Sequence, residues 1–183
     1  MIPLRMNARP IAPSFTWSFA RNCVGTCALI LALLPIAARG ANRQIYPDPA
    51  QAKADIAAAL KVAAQTHKRV LLDFGGDWCG DCQVLDLYFH DEKNRPILEA
   101  GFVLVHVNIG HMDANLDIAQ KYQVPLNRGV PALAVLSDKG VLLFSLKSGA
   151  FDAMSSMESS AVASFLARWK PATTGCSTVM LNC

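Results

Sequence analysis

Hydrophobic positions follow three regimes along the chain. Residues 23–38 are continuously apolar; residues 48–170 alternate short apolar runs with apolar residues at helical spacing; residues 41–47 and 171–183 show neither pattern. The middle regime reads as one domain. Asp48-Pro49 supplies an N-cap acid and a proline at the first helical position, ahead of an alanine-rich segment with Ile56, Leu60, Ala63 and Ala64 on one side. Lys68 and Arg69 close that helix. Val70–Phe74 is a short apolar run ending at Gly75-Gly76, read as a buried strand. A helix follows over Cys79–His90, with Leu85 and Phe89 four apart.

The pattern continues with a short helical piece at Lys93–Ala100, a strand at Phe102–Asn108, a turn at Gly110–Asp113, a helix at Asn115–Tyr122 and a loop at Val124–Gly129. Ala132–Leu136 and Val141–Leu146 read as two strands joined by the turn Ser137–Gly140. Glu158–Trp169 closes the domain as an amphipathic helix carrying Val162, Phe165, Leu166 and Trp169. The strand–helix–strand portion predicts parallel strands joined by a right-handed crossover, and the hairpin adds an antiparallel strand. The expectation is an α/β fold: a mixed central sheet flanked by helices, with an extra N-terminal helix.

The remaining regimes change the picture of where the domain works. A leader with arginines and no acid precedes the apolar run CVGTCALILALLPIAA, the pattern of an export signal. Ala38 and Gly40 fit a cut before Ala41. The run is short for a membrane span, though an uncleaved anchor through residues 23–38 is the alternative. Residues 1–40 are thus export signal or anchor, 41–47 a linker, 48–170 the domain and 171–183 a cysteine-containing tail. Four of the 17 basic residues (Arg5, Arg9, Arg21 and Arg39) lie in the leader and none of the 14 acids does, so the remainder is close to neutral. No basic block is long enough to track a phosphate backbone, which argues against a nucleic-acid partner. Six cysteines in 183 residues is not the density of a disulfide-built miniprotein.

The chemistry centres on Trp78-Cys79-Gly80-Asp81-Cys82. A C-x-x-C is either a redox pair or half of a zinc site. Structural zinc needs four ligands; Cys176 and Cys183 lie in the tail with six residues between them, and His67, His90, His106 and His111 are scattered. The redox reading fits the position better. At the mouth of a helix the first sulfur meets unpaired N–H groups and the positive end of the dipole, which lowers its pKa. The second sulfur, one turn on, is placed to attack a mixed disulfide formed at the first. His111-Met112 is a weak copper motif, and Asp77 and Asp86 read as solvated acids. Cys176 and Cys183 form a structural disulfide or remain free tail thiols.

DFGGDWCGDC resembles the active-site strand and motif of thioredoxins. VHVNIG (Val105–Gly110) is similar to that family's central strand, and GVPAL (Gly129–Leu133) to its cis-proline loop; the SDKG turn and Gly149 fall in order. The resemblance covers about residues 68–170. It implies a thioredoxin fold and thiol–disulfide exchange with protein cysteines, needing no bound cofactor or metal. Cys79 would be the nucleophile and Cys82 the resolving cysteine. Asp73, a buried acid, would take the proton from Cys82. Pro131 would be cis, with Val130 offering backbone groups to substrate, and Trp78 would pack beside the disulfide. His106 stands where the family often has lysine and would share the proton with Asp73. Asp81 replaces a proline, Gly75 a second tryptophan and Ala132 a threonine. A carboxylate between the sulfurs disfavours a thiolate on Cys79, pointing to a reductase or isomerase-like role rather than an oxidant. The extra helix and leader resemble extracytoplasmic members, implying a bacterial periplasmic protein reset by an upstream thiol–disulfide donor. The alternative is a metal-binding or assembly module of the same fold, without turnover.

Overall fold

The structure, a computed structural model, describes residues 43–147, 151 and 153–172, all within one compact unit. The apolar segment 23–38, Gly149 and the tail cysteines Cys176 and Cys183 lie outside the described residues. Among the described residues no helix is long and apolar enough to cross a membrane.

A single 3-10 turn at Pro49–Gln51 leads into helix α1 (Ala52–Thr66). The Asp48 carboxylate accepts from the Ala50 amide at 2.8 Å, the expected cap. The helix stops earlier than the basic pair suggests. His67 adopts a left-handed conformation (φ 54°) and Arg69 already belongs to the next strand. The Arg69 guanidinium instead donates to the Trp169 carbonyl at 2.7 Å, tying down the C-terminal helix.

Strand β1 (Arg69–Gly75) is followed by α2 (Gly80–Phe89), α3 (Arg95–Gly101), β2 (Phe102–Asn108) and α4 (Leu116–Lys121). Then come β3 (Ala132–Leu136), β4 (Leu142–Ser145) and α5 (Ser159–Trp169). The sheet order is β2-β1-β3-β4, with β1 and β2 parallel and β3 antiparallel to both β1 and β4. The fold is the mixed sheet flanked by helices that the pattern predicts. The hairpin turn is closed by the Ser137 hydroxyl, which accepts from the Lys139 and Val141 amides at 3.2 and 3.1 Å, and by Gly140 at φ 77°. Strand β4 is shorter than expected, with Val141 left exposed.

Strand β1 is buried on both faces, and its alternation explains the uninterrupted apolar run. Leu72 and Phe74 enter a core with Ile56 and Ala59 of α1, Val105 and Val107 of β2 and Ile118 of α4. Leu71 points the other way, into a core with Leu85 and Phe89 of α2, Leu133 of β3 and Val162 and Leu166 of α5. The parallel register sets Asp73 of β1 directly beside His106 of β2. Neighbours at one register position share a sheet face, so the only acid of β1 meets the only histidine of β2.

Candidate functional site

The site is built at the C-terminal end of β1. The strand ends at Gly75, and the Cys79 amide donates to the Gly76 carbonyl at 3.0 Å, turning the chain into α2. Cys79 is the N-cap of that helix. Its Sγ accepts from the Cys82 amide at 3.1 Å, so the first sulfur takes the place of a capping oxygen at the positive end of the dipole. Cys79 and Cys82 are joined by a disulfide (S–S 2.14 Å, Cα–Cα 5.2 Å). Cys82 is fully buried and Cys79 nearly so. The Cys79 sulfur lies 3.6 Å from the Val130 carbonyl oxygen, and the Val130–Pro131 peptide bond is cis. Cys79, Cys82, Val130 and Pro131 therefore meet as the sequence implies.

Asp73 is fully buried within β1. His106 Nδ1 lies 2.9 Å from its Oδ2. The same oxygen accepts from the Tyr46 hydroxyl at 2.7 Å, while Oδ1 has no hydrogen-bond partner among the described residues. Burial acts to lower the His106 pKa, but the hydrogen bond and charge of Asp73, reinforced by Asp86 and Asp77, outweigh it and raise it above the ordinary histidine value. His106 is among the residues lining a groove of about 340 Å³ with Pro47, Asp55 and Val103, between α1 and the edge strand β2, and its side chain is 17% exposed. It thus links the buried carboxylate to solvent.

Residues 51–137 match the thioredoxin-like family. The structure superposes on a disulphide isomerase from Xylella fastidiosa Temecula1 with a TM-score of 0.66 and 31% identity, covering 69% of this chain and 96% of that one. The chain belongs to the thioredoxin-like family. A thioredoxin of Buchnera aphidicola subsp. Baizongia pistaciae is 31% identical over 74 residues, 40% of this chain and 61% of that protein.

This thioredoxin-like protein departs from the sequence reading in the segment before its first helix. Residues 43–47, expected to be a linker, form a strap laid across the site. Tyr46 is buried and clusters with Cys79 and Cys82. Asp77 and Asp86, read as solvated, hold that strap. Asp77 Oδ1 accepts from the Ile45 and Tyr46 amides at 2.8 and 3.0 Å. Asp86 is buried, pairs with Arg43 at 2.6 Å and lies 3.2 Å from His90 Nδ1 and 3.7 Å from His106 Nε2. Asn108 Nδ2 donates to the Pro47 carbonyl and Gln83 Nε2 to the Arg43 carbonyl. Burial first, then the charge and hydrogen bond of Asp73, push the Tyr46 hydroxyl far above its ordinary pKa, so it is a donor at every working pH.

Two further residues make contacts of their own. Trp78 is 43% exposed, donates from Nε1 to the Gly110 carbonyl at 2.6 Å and stacks on His111. The carboxylate of Asp81 is engaged on the side of α2, where Oδ1 accepts from the Ser155 amide at 2.7 Å. The one signal for Tyr46 in the sequence is Gly75. Where the family pattern has a tryptophan this chain has no side chain, and another aromatic has to fill the space.

Proposed function

We propose that this chain is an exported protein-disulfide oxidoreductase. Its CGDC pair exchanges with cysteines of protein substrates through a mixed disulfide, on the reductase or isomerase side. One observation carries the reading: a sulfur at a helix N-cap, beside the carbonyl that precedes a cis-proline, with its partner sulfur buried and a carboxylate buried in the adjoining strand. In the reduced protein the Cys79 thiolate attacks a substrate disulfide. The sulfur–sulfur bond of the substrate breaks, one half leaves as a thiolate that takes a proton from solvent, and the other stays on Cys79. Cys82 then loses its proton to Asp73 and attacks Cys79 Sγ. The Cys79–Cys82 bond forms and the second substrate thiolate departs. An extended substrate segment reaches the Val130 backbone while this happens. The export reading rests on the leader and apolar segment at residues 1–40, and an upstream donor of thiols would return the pair to the dithiol.

Insulin reduction tests the activity. The parent should turn over with a dithiol supply and Cys79→Ser should not; equal turnover would remove the proposal. The potential tests the direction, with a value near about −270 mV marking a reductant and one near about −120 mV an oxidant. Fractionation of expressing cells, with the mass of the mature chain, tests export and cleavage near Ala41.

A further inference from the structure

Resting on that reading of the cysteine pair, we propose that Tyr46 is a positioning residue of the resolving step. Its hydroxyl fixes Oδ2 of Asp73 and so reserves Oδ1 to receive the proton of Cys82. Three observations meet here. Tyr46 and His106 both bond the same carboxylate oxygen, at 2.7 and 2.9 Å. The other oxygen is buried and meets no donor among the described residues, which leaves it as the open acceptor. A Cβ placed on Gly75 would overlap the Tyr46 hydroxyl and stand 2.7 Å from Cys82 Sγ. Hydroxyl and sulfur therefore face each other across the gap that Gly75 leaves.

The strap is held by four side chains from three elements, which is more than a passing contact needs. Asp77 in the β1–α2 turn, Gln83 and Asp86 on α2, and Asn108 at the end of β2 all bond it. The step is conservative in atoms. The S–H bond of Cys82 breaks, its proton goes to Asp73 Oδ1, its electron pair attacks Cys79 Sγ, and the Cys79–substrate bond breaks with its pair on the departing thiolate. That thiolate or solvent reached through His106 takes the proton afterwards.

The ionisable groups around Asp73 set the sign. His106 on β2 and the Tyr46 hydroxyl favour the carboxylate. Asp86 on α2, itself paired with Arg43 and near His90, and Asp77 in the turn oppose it. Removing the Tyr46 hydroxyl takes away the donor that fixes Oδ2, so the resolving step should need a higher pH than in the parent.

The experiment uses the full chain with glutathione held on Cys79 as a mixed disulfide. Its release by Cys82 is followed across the neutral range in parent, Tyr46→Phe, Asp77→Ala and Asp73→Asn. Tyr46→Phe should slow release about tenfold near neutral pH and move the pH profile alkaline by about one unit. Formation of the mixed disulfide by Cys79 should stay within about twofold of the parent, since that attack precedes the transfer to Asp73. Asp77→Ala, which unpins the strap with Tyr46 present, should shift the profile the same way. Loss of the Asp77 charge alone would shift it the other way, so this variant also decides the matter if Tyr46→Phe fails to fold. A Tyr46→Phe profile that coincides with the parent, while Asp73→Asn abolishes the pH dependence, overturns the role of Tyr46 and leaves Asp73 as the base. Profiles unmoved by either variant overturn both.

Discussion

At Gly75 the smallest side chain is required by the two largest constraints on the site. A methyl group there meets the Tyr46 hydroxyl and Cys82 Sγ, neither of which can retreat, because both lie in the buried cluster over Asp73. Gly75→Ala should therefore destabilise the protein by about 1–3 kcal/mol, the usual cost of overpacking, and slow release from Cys79. Urea unfolding of the oxidised protein measures the first; a variant as stable as the parent would mean the strap yields easily. His106 carries the second residue-scale prediction. Its pKa is raised in the folded state, so its protonated form stabilises the fold. That contribution is full below the unfolded value, about 6.5, and is lost as pH rises through the folded value. His106→Gln should flatten the fall in unfolding free energy above about pH 6.5, read from urea titrations at several pH values. Parallel curves for parent and variant would show that the Asp73–His106 pair does not stabilise the folded state. Of the proposed reacting groups, the Cys79–Cys82 pair was legible from its spacing at the mouth of a helix, and Asp73 from the resemblance to thioredoxins. Tyr46 was not, because it lies in a segment without periodicity and its contact spans 27 residues.

The elements around the site divide by how much of their position is written locally. Strands β2 and β3 begin and end where the sequence pattern places them, and β3, lying between β1 and β4, is apolar throughout because it is buried along its whole length. Helix α1 ends before its basic pair because His67 turns left-handed, a conformation no spacing rule announces. Asp81 shows the same limit. As a residue between two sulfurs it suggested an electrostatic role. As a member of α2 it reaches Ser155 and joins the helix to the 3-10 turn at Met154–Ser156. Asp81→Ala should free that turn at a cost of about 1 kcal/mol, the net worth of one exposed hydrogen bond. The Ser155 amide should then exchange with deuterium faster than in the parent, while exchange in β1 and β3 is unchanged. Unchanged protection at Ser155 would mean that packing of Met154 alone holds the turn. Asp81→Asn, which keeps the acceptor, should retain the protection and isolate any effect of charge on the potential.

On the scale of the molecule, two cores on opposite faces of the sheet hold the fold, and the strap holds the site. The cores explain why the architecture could be read from patterning: β1 feeds both, through Leu72 and Phe74 on one side and Leu71 on the other. The strap adds nothing to either core, so no hydrophobic pattern marked it. This separation makes a prediction about the full chain in which residues 43–47 are replaced by a Gly/Ser sequence of equal length. The replacement exposes the space filled by the Tyr46 ring, worth about 1.5–3 kcal/mol, and removes a donor from a buried carboxylate, worth about 1–3 kcal/mol. It also strips Arg43 from buried Asp86, a smaller loss because Arg43 is 49% exposed and screened by solvent. The sum should lower the midpoint of thermal unfolding by roughly 10–20 °C, at about 4 °C per kcal/mol for a domain of this size. Unfolding should remain a single cooperative transition, because both cores are intact. Leu71→Ala, by contrast, should lose a similar 2–5 kcal/mol, on the order of other buried leucines, while leaving the pH profile of release from Cys79 where it was. Stability and site chemistry would then fall together in the strap replacement and separate in the core variant. If the strap replacement melts with the parent and releases substrate with the parent's pH profile, Tyr46 is a passenger on the surface of a site that β1 and α2 complete alone.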